Sequence, residues 1–298
     1  MGWGVDMSPI FEPELPMIMD FSDCEANNVL PLHAAINSVH TITKQYPGPY
    51  TLMVSGGVDS QAMIFAWLKS GIPFKLVSVI YHDLHGRPMN LDDLVDLKAY
   101  AEYYALDVEY KTFPLIRFLE KELPTYVNAY SCTSPQICTH MKMGEMVTDG
   151  TILYSGNYYF SGPLVNYTIM GLHRYTVATK RSIIPFFFMH DPELVGSFYR
   201  FTTVINDSIL AADSTYARKC IIYTLGGFHL MPQKSKLTGF EKVKDYYDLQ
   251  PNMVTPKDKL EFAKFPSKRA FDIRFRYYFT RTVKYKDSII NRPPKRKL

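Results

Sequence analysis

From Asn27 to Tyr46 the apolar residues Val29, Leu32, Ala35, Ile36 and Val39 recur at the spacing of one helical face, and Pro47-Gly48-Pro49 ends the pattern. A short β-prone run, Tyr50 to Val54, follows and meets Ser55-Gly56-Gly57. Asp59 to Ser70 returns to helical spacing, with Met63, Ile64, Trp67 and Leu68 on one stripe and Gly71 as its stop. Phe74 to Ile80 predicts a second strand. Asn90 opens another helix through Leu94, Leu97, Tyr100, Ala101 and Tyr104, and Asp107 to Thr112 predicts a third strand. Strands joined through helices run parallel, because each crossover needs about a dozen residues and packs back right-handed. The pattern predicts an α/β fold, a parallel sheet with helices on both faces, followed by a mainly helical C-terminal part.

Beyond the third strand, Leu115 to Met146 reads as helix broken at Pro124 and Pro135, Thr151 to Tyr154 as a fourth core strand, and the remainder as helices to about Tyr247. Phe271 to Tyr285 is aromatic and β-prone but thick with Arg and Lys, which fits a terminal strand or a loose arm equally. No repeat of solenoid or propeller length is visible. The expected layout is a leading segment and helix over 1–48, a core domain over 49–245, and a basic aromatic extension over 246–298.

Composition narrows the class. With 298 residues, 47% of them hydrophobic and 21% charged, the chain can fill a real core. Asp6, Glu12, Glu14 and Asp20 precede any Lys or Arg, unlike a secretory leader, and the longest apolar run, Ile183 to Met189, is too short to cross a bilayer. A soluble cytoplasmic protein without membrane partners is the expectation. Cys24, Cys132, Cys138 and Cys220 are too scattered for a disulfide framework and read as free thiols. The net charge of +4 conceals a split: residues 264–298 carry a surplus of +10, and the preceding body is −6. A basic tail of this kind suits an intramolecular match, a nucleic-acid contact or a solvated surface strand.

The chemistry concentrates in Ser55-Gly56-Gly57-Val58-Asp59-Ser60, where the first strand becomes a helix. Glycines let the backbone approach an anion, the N–H groups and dipole at a helix start hold phosphate oxygens, and Ser55 and Ser60 add hydroxyl donors. Asp59 is out of place in an anion nest unless a divalent cation joins it to the phosphates, which implies Mg²⁺ with Asp59 as ligand. The loop matches neither the G-x-x-x-x-G-K-[ST] phosphate loop nor G-x-G-x-x-G. The plainer alternative is a Gly-Gly turn with Asp59 and Ser60 as ordinary first-turn residues.

A strand followed by SGGVDS and a helix resembles the PP-loop ATP pyrophosphatases, which split ATP to AMP and pyrophosphate while adenylating a second substrate. The resemblance implies ATP as cofactor with Mg²⁺, and assigns Ser55, Gly56, Gly57, Val58, Asp59 and Ser60 to the pyrophosphate, with Asp59 also catalytic. The end of the second strand, Val79 to Tyr81, would lie against adenine. Within that superfamily, Ile184 to Val195 is similar to the R-x-P-F-L-D-x-x-L-V stretch of asparagine synthetases and β-lactam synthetases, and Leu230 to Phe240 to their L-P-x-x-x-x-R-x-K-x-G-F stretch. Lys236 is the position matching the lysine that reaches pyrophosphate; a solvated basic turn is the alternative. The implied reaction activates a carboxylate or carbonyl oxygen as its AMP adduct for attack by ammonia or an amine.

Two departures stand out. No glutaminase domain precedes the loop, so a separate ammonia source is expected. After the fourth strand, where the synthetases carry S-G-x-G-x-D-E, this chain reads Ser155-Gly156-Asn157-Tyr158: Gly156 keeps its nucleotide-side position, but the acidic pair is missing. Two other readings follow, a PP-loop enzyme that modifies a nucleobase in tRNA or DNA, and a nucleotide-binding module without catalysis. Arg274, Arg276, Tyr277, Tyr278, Arg281, Lys284 and Lys286 would suit phosphate contact with base stacking, or an edge strand guarded by charge. His82, Asp83, His85 and His140 could serve as acid–base groups or as loop polar residues, and Cys132 with Cys138 reads as structural thiols before a sulfur-transfer pair. Asp92, Asp93 and Asp96 read as first-turn residues of an exposed helix.

Overall fold

The computed structural model describes residues 29–130, 132, 135–156, 164–205, 215–231, 242–243 and 282–284. Helix α1 (Pro31–Gln45) leads into strand β1 (Tyr50–Met53), then α2 (Val58–Ser70), β2 (Lys75–Tyr81), α3 (Leu91–Tyr103) and β3 (Val108–Phe113). Helices α4 (Leu115–Lys121), α5 (Leu123–Tyr130) and α6 (Pro135–Gly144) precede β4 (Thr151–Tyr154). Strand β5 (Leu164–Asn166), α7 (Tyr167–Thr179), the two-residue strand β6 (Ile183–Ile184), a 3₁₀ turn (Phe187–Met189), α8 (Pro192–Val204), α9 (Thr215–Leu225) and β7 (Thr282–Lys284) complete the described elements.

Five strands form one all-parallel sheet in the order β3-β2-β1-β4-β6. The chain winds outward from β1 through β2 to β3, then returns to lay β4 on the other side of β1. In an open parallel sheet such a reversal leaves a crevice at the carboxyl ends of the two diverging strands, where ligands bind. Strand alternation sorts the core into two layers. Leu52, Leu76, Leu153 and Ile184 face one layer with α1, α2, α8 and α9, whereas Met53, Val77, Ile152 and Ile183 face another with α4, α6 and α7. Helices cover both faces, as the pattern predicts.

Some boundaries differ from the sequence reading. Helix α1 begins at Pro31, which suits a first helical position because its missing N–H has no intrahelical role there; Asn27 lies outside the described residues. The break in the 115–146 stretch falls at Glu122, and Pro124 is accommodated in the first turn of α5. Strand β6 was not predicted: two residues are too few to show a period, and their apolar character merges with the run that follows. Of Phe271 to Tyr285, residues 282–284 are described, as a strand paired antiparallel with β5, Lys284 opposite Leu164. Among the described residues no helix is long and apolar enough to cross a membrane.

Candidate functional site

The sheet reversal sets the β1–α2 loop beside the end of β4. Met53 pairs with Tyr154, so Ser55 and Gly56 leave one strand next to Ser155 and Gly156 leaving the other. Gly156 takes a left-handed backbone (φ +65°), and a Cβ there would come within 2.7 Å of the Phe186 ring. Phe188 N–H donates to Ser155 O at 3.2 Å. The Ile184–Val195 stretch therefore lines the β4 exit. Its Asp191 caps α8 by accepting from Glu193 N–H at 2.8 Å, and burial raises its pKa.

The loop is held from within. Ser60 Oγ accepts from Ser55 N–H at 3.1 Å, and Ser55 Oγ accepts from Gly57 N–H at 3.2 Å. The two hydroxyl oxygens stand 3.4 Å apart, so at most one hydroxyl hydrogen is spent between them. Val58 is buried beneath the turn. Gln61, fully buried, donates from Nε2 to Gly56 O at 3.1 Å and accepts Met231 N–H on Oε1 at 2.9 Å, while Tyr100 Oη donates to its carbonyl at 3.1 Å. The Gln61 side chain thus ties the loop to the segment after α9, and its main-chain carbonyl ties it to α3.

Asp59 is the loop's charged member, and both its oxygens are engaged. Lys219 Nζ donates to Oδ2 at 2.6 Å and Tyr223 Oη to Oδ1 at 2.8 Å. The lysine side chain is 8% exposed and the carboxylate 20%. Lys219 and Tyr223 lie one turn apart on α9, so one helix face delivers both donors. Neither was identified from sequence. The carboxylate that seemed to require a divalent cation has an ammonium partner from its own chain. Among the described residues there is no group of three or more His, Cys, Asp or Glu able to hold a metal. With both oxygens engaged by Lys219 and Tyr223, Asp59 does not fit the part of a ligand to a resident Mg²⁺.

Helix α3 corrects the expectation of an exposed acidic turn. Asp92 is the outward member, 3.2 Å from Lys242, but Asp93 and Asp96 are each 7% exposed. A Cβ on Gly56 would stand 2.1 Å from Asp93 O and 3.0 Å from Asp96 Cβ, so only glycine lets loop and helix meet. Asp96 Oδ2 has no hydrogen-bond partner among the described residues. Ahead of α3, buried Asn90 accepts Tyr81 N–H at 2.9 Å and donates to Val79 O at 2.8 Å, pinning the end of β2.

The other predicted residues sort as follows. Val79 and Tyr81 end the neighbouring strand, but their side chains are buried, and Tyr81 Oη donates to Met143 Sδ at 3.3 Å. Lys236 lies outside the described residues; Met231, bonded to Gln61, precedes it by five positions. Asp83 closes the turn after β2: burial pushes its carboxyl up, but hydrogen bonds from Arg87 and from the His85 N–H hold it below the usual range. His140 stacks on Tyr154 at 5.2 Å, and desolvation lowers its pKa to about 4, which leaves it neutral. Cys132 and Cys138 are buried and not in a disulfide, the second donating to the first's carbonyl at 3.6 Å; a hydrogen bond with the Cys132 side chain, followed by burial, pushes the Cys138 thiol up, as expected for structural cysteines.

No protein-family model matches the chain, and no curated protein matches it. Among solved structures, the U34-tRNA thiolase NcsA from Methanococcus maripaludis with its [4Fe-4S] cluster aligns at 11% identity over 84% of this chain and 78% of that one, with a TM-score of 0.31.

Proposed function

We propose that the crevice binds ATP by its phosphates and that the protein transfers AMP to an acceptor oxygen. The observation that carries this reading is the Ser55–Ser60 loop, which joins β1 to α2 at the sheet reversal, beside the left-handed Gly156 at the end of β4. The acceptor oxygen attacks Pα, the bond from Pα to the bridging oxygen breaks, and pyrophosphate leaves. The loop N–H and hydroxyl groups hold the leaving group, and Lys236 adds positive charge as the bond lengthens. Bringing acceptor and Pα into line supplies much of the rate. With a carboxylate acceptor, ammonia or an amine then attacks the adduct carbon and expels AMP.

A nucleobase oxygen is the second acceptor, and one observation favours it. The β5–β7 pairing sets Thr282–Lys284 of the basic tail beside Leu164–Asn166, eight residues after Gly156. A polyanionic acceptor would meet that charge on its way to the crevice.

The test is pyrophosphate release from ATP, alone and with amino acids plus ammonium or with tRNA. Pyrophosphate and AMP in equal amounts, dependent on one acceptor class, support the reading and choose the acceptor. ADP and phosphate as products sink it, and bound ATP with no turnover under any condition marks a nucleotide-binding module.

A further inference from the structure

The loop carries its own counter-cation. A metal bridging Asp59 to phosphate would have to share its oxygens with an ammonium 2.6 Å from Oδ2 and a phenol 2.8 Å from Oδ1. The ammonium belongs to a lysine side chain only 8% exposed. Separating such a pair leaves both charges uncompensated in poorly solvated surroundings, which is costly. Paired, the two charges cancel at the first turn of α2, where a lone carboxylate would repel an incoming anion. Resting on the phosphate-binding reading above, we infer that Lys219 is the positioning residue that makes the loop an anion site without metal, and that Asp59 anchors α9 to the loop and is not a metal ligand. Helix α3 meets the loop through Asp93 O and Asp96 Cβ, at the side of Gly56 where its Cβ would point.

The probe is inorganic pyrophosphate, titrated calorimetrically into the full-length protein in EDTA and again with Mg²⁺. The wild type is expected to bind in EDTA. Asp59→Asn, close in shape, leaves the ammonium unneutralised and tightens that binding by about tenfold. Lys219→Met weakens it by about tenfold or more, and the double variant Asp59→Asn/Lys219→Met returns towards wild type. A purely structural pair would not give opposite signs for its two halves. Should Lys219→Met fail to fold by circular dichroism, the Asp59→Asn arm still decides. Wild-type binding that needs Mg²⁺ and is abolished by Asp59→Asn or Asp96→Asn overturns the inference while leaving the phosphate site standing. Pyrophosphate binding under neither condition removes the phosphate site itself.

Discussion

Gly56 meets a constraint that no rotamer can relieve. Its absent Cβ would lie 2.1 Å from a main-chain oxygen of α3, so a larger residue must push a whole helix. Gly57 differs: it has φ −62° and ψ 149°, open to any residue, and its Cβ would meet Ser55 Oγ, a rotatable group, at 3.2 Å. Gly56→Ala should therefore cost about 3 kcal/mol of stability, and Gly57→Ala no more than about 1 kcal/mol. Urea denaturation of the two variants checks the contrast; equal losses would mean that α3 yields and that Gly56 is there for a ligand instead. The pair also divides the motif: its first glycine serves packing against α3, and its second has a backbone open to any residue.

At the scale of elements, His140 couples α6 to β4, with its ring stacked on Tyr154 and its carbonyl accepting Tyr154 Oη at 2.6 Å. Its folded pKa, about 4, is below the ordinary 6.5. Between those values the unfolded chain takes up a proton that the folded chain refuses, so stability falls as pH drops through that window. The expected loss by pH 4.5 is about 2 to 3 kcal/mol. His140→Gln should abolish that share, seen as a smaller difference between urea midpoints at pH 7 and pH 4.5; an unchanged difference would assign the acid sensitivity elsewhere. The elements themselves were largely legible in the sequence. Leu52 against Met53, or Ile152 against Leu153, follow from simple alternation, and Gly71 and Pro47 mark helix ends by local rules. The site was less so. Lys219 lies within Thr-Tyr-Ala-Arg-Lys-Cys-Ile-Ile-Tyr, where nothing local distinguishes a cation that meets Asp59 across 160 positions. Asp93 and Asp96 looked like ordinary first-turn acids, because burial of a helix start depends on what packs there and not on its own residues. Gln61, one position beyond the motif, gave no sign that it would hold the loop to two other segments.

The molecule as a whole pairs a body of charge −6 with a tail of +10. The described part of that tail, Thr282–Lys284, is antiparallel to Leu164–Asn166. Two outcomes compete for the positive charge: the acidic body, or an external polyanion. A body match would hide the tail from nucleic acid, and salt would change little beyond general stability. An external match makes affinity fall with salt in proportion to the phosphates neutralised. If about five phosphates are met, raising salt fourfold weakens binding of a single-stranded RNA on the order of 100-fold. Replacing Arg281, Lys284 and Lys286 together by Gln should lower the slope of log affinity against log salt by about 2, with little dependence on RNA sequence. Filter binding at 50 to 200 mM salt, roughly the range over which such contacts are lost, reads both numbers. A slope near zero for the wild type, or one unaltered by the triple replacement, returns the tail to the body and leaves a small carboxylate as the acceptor to pursue.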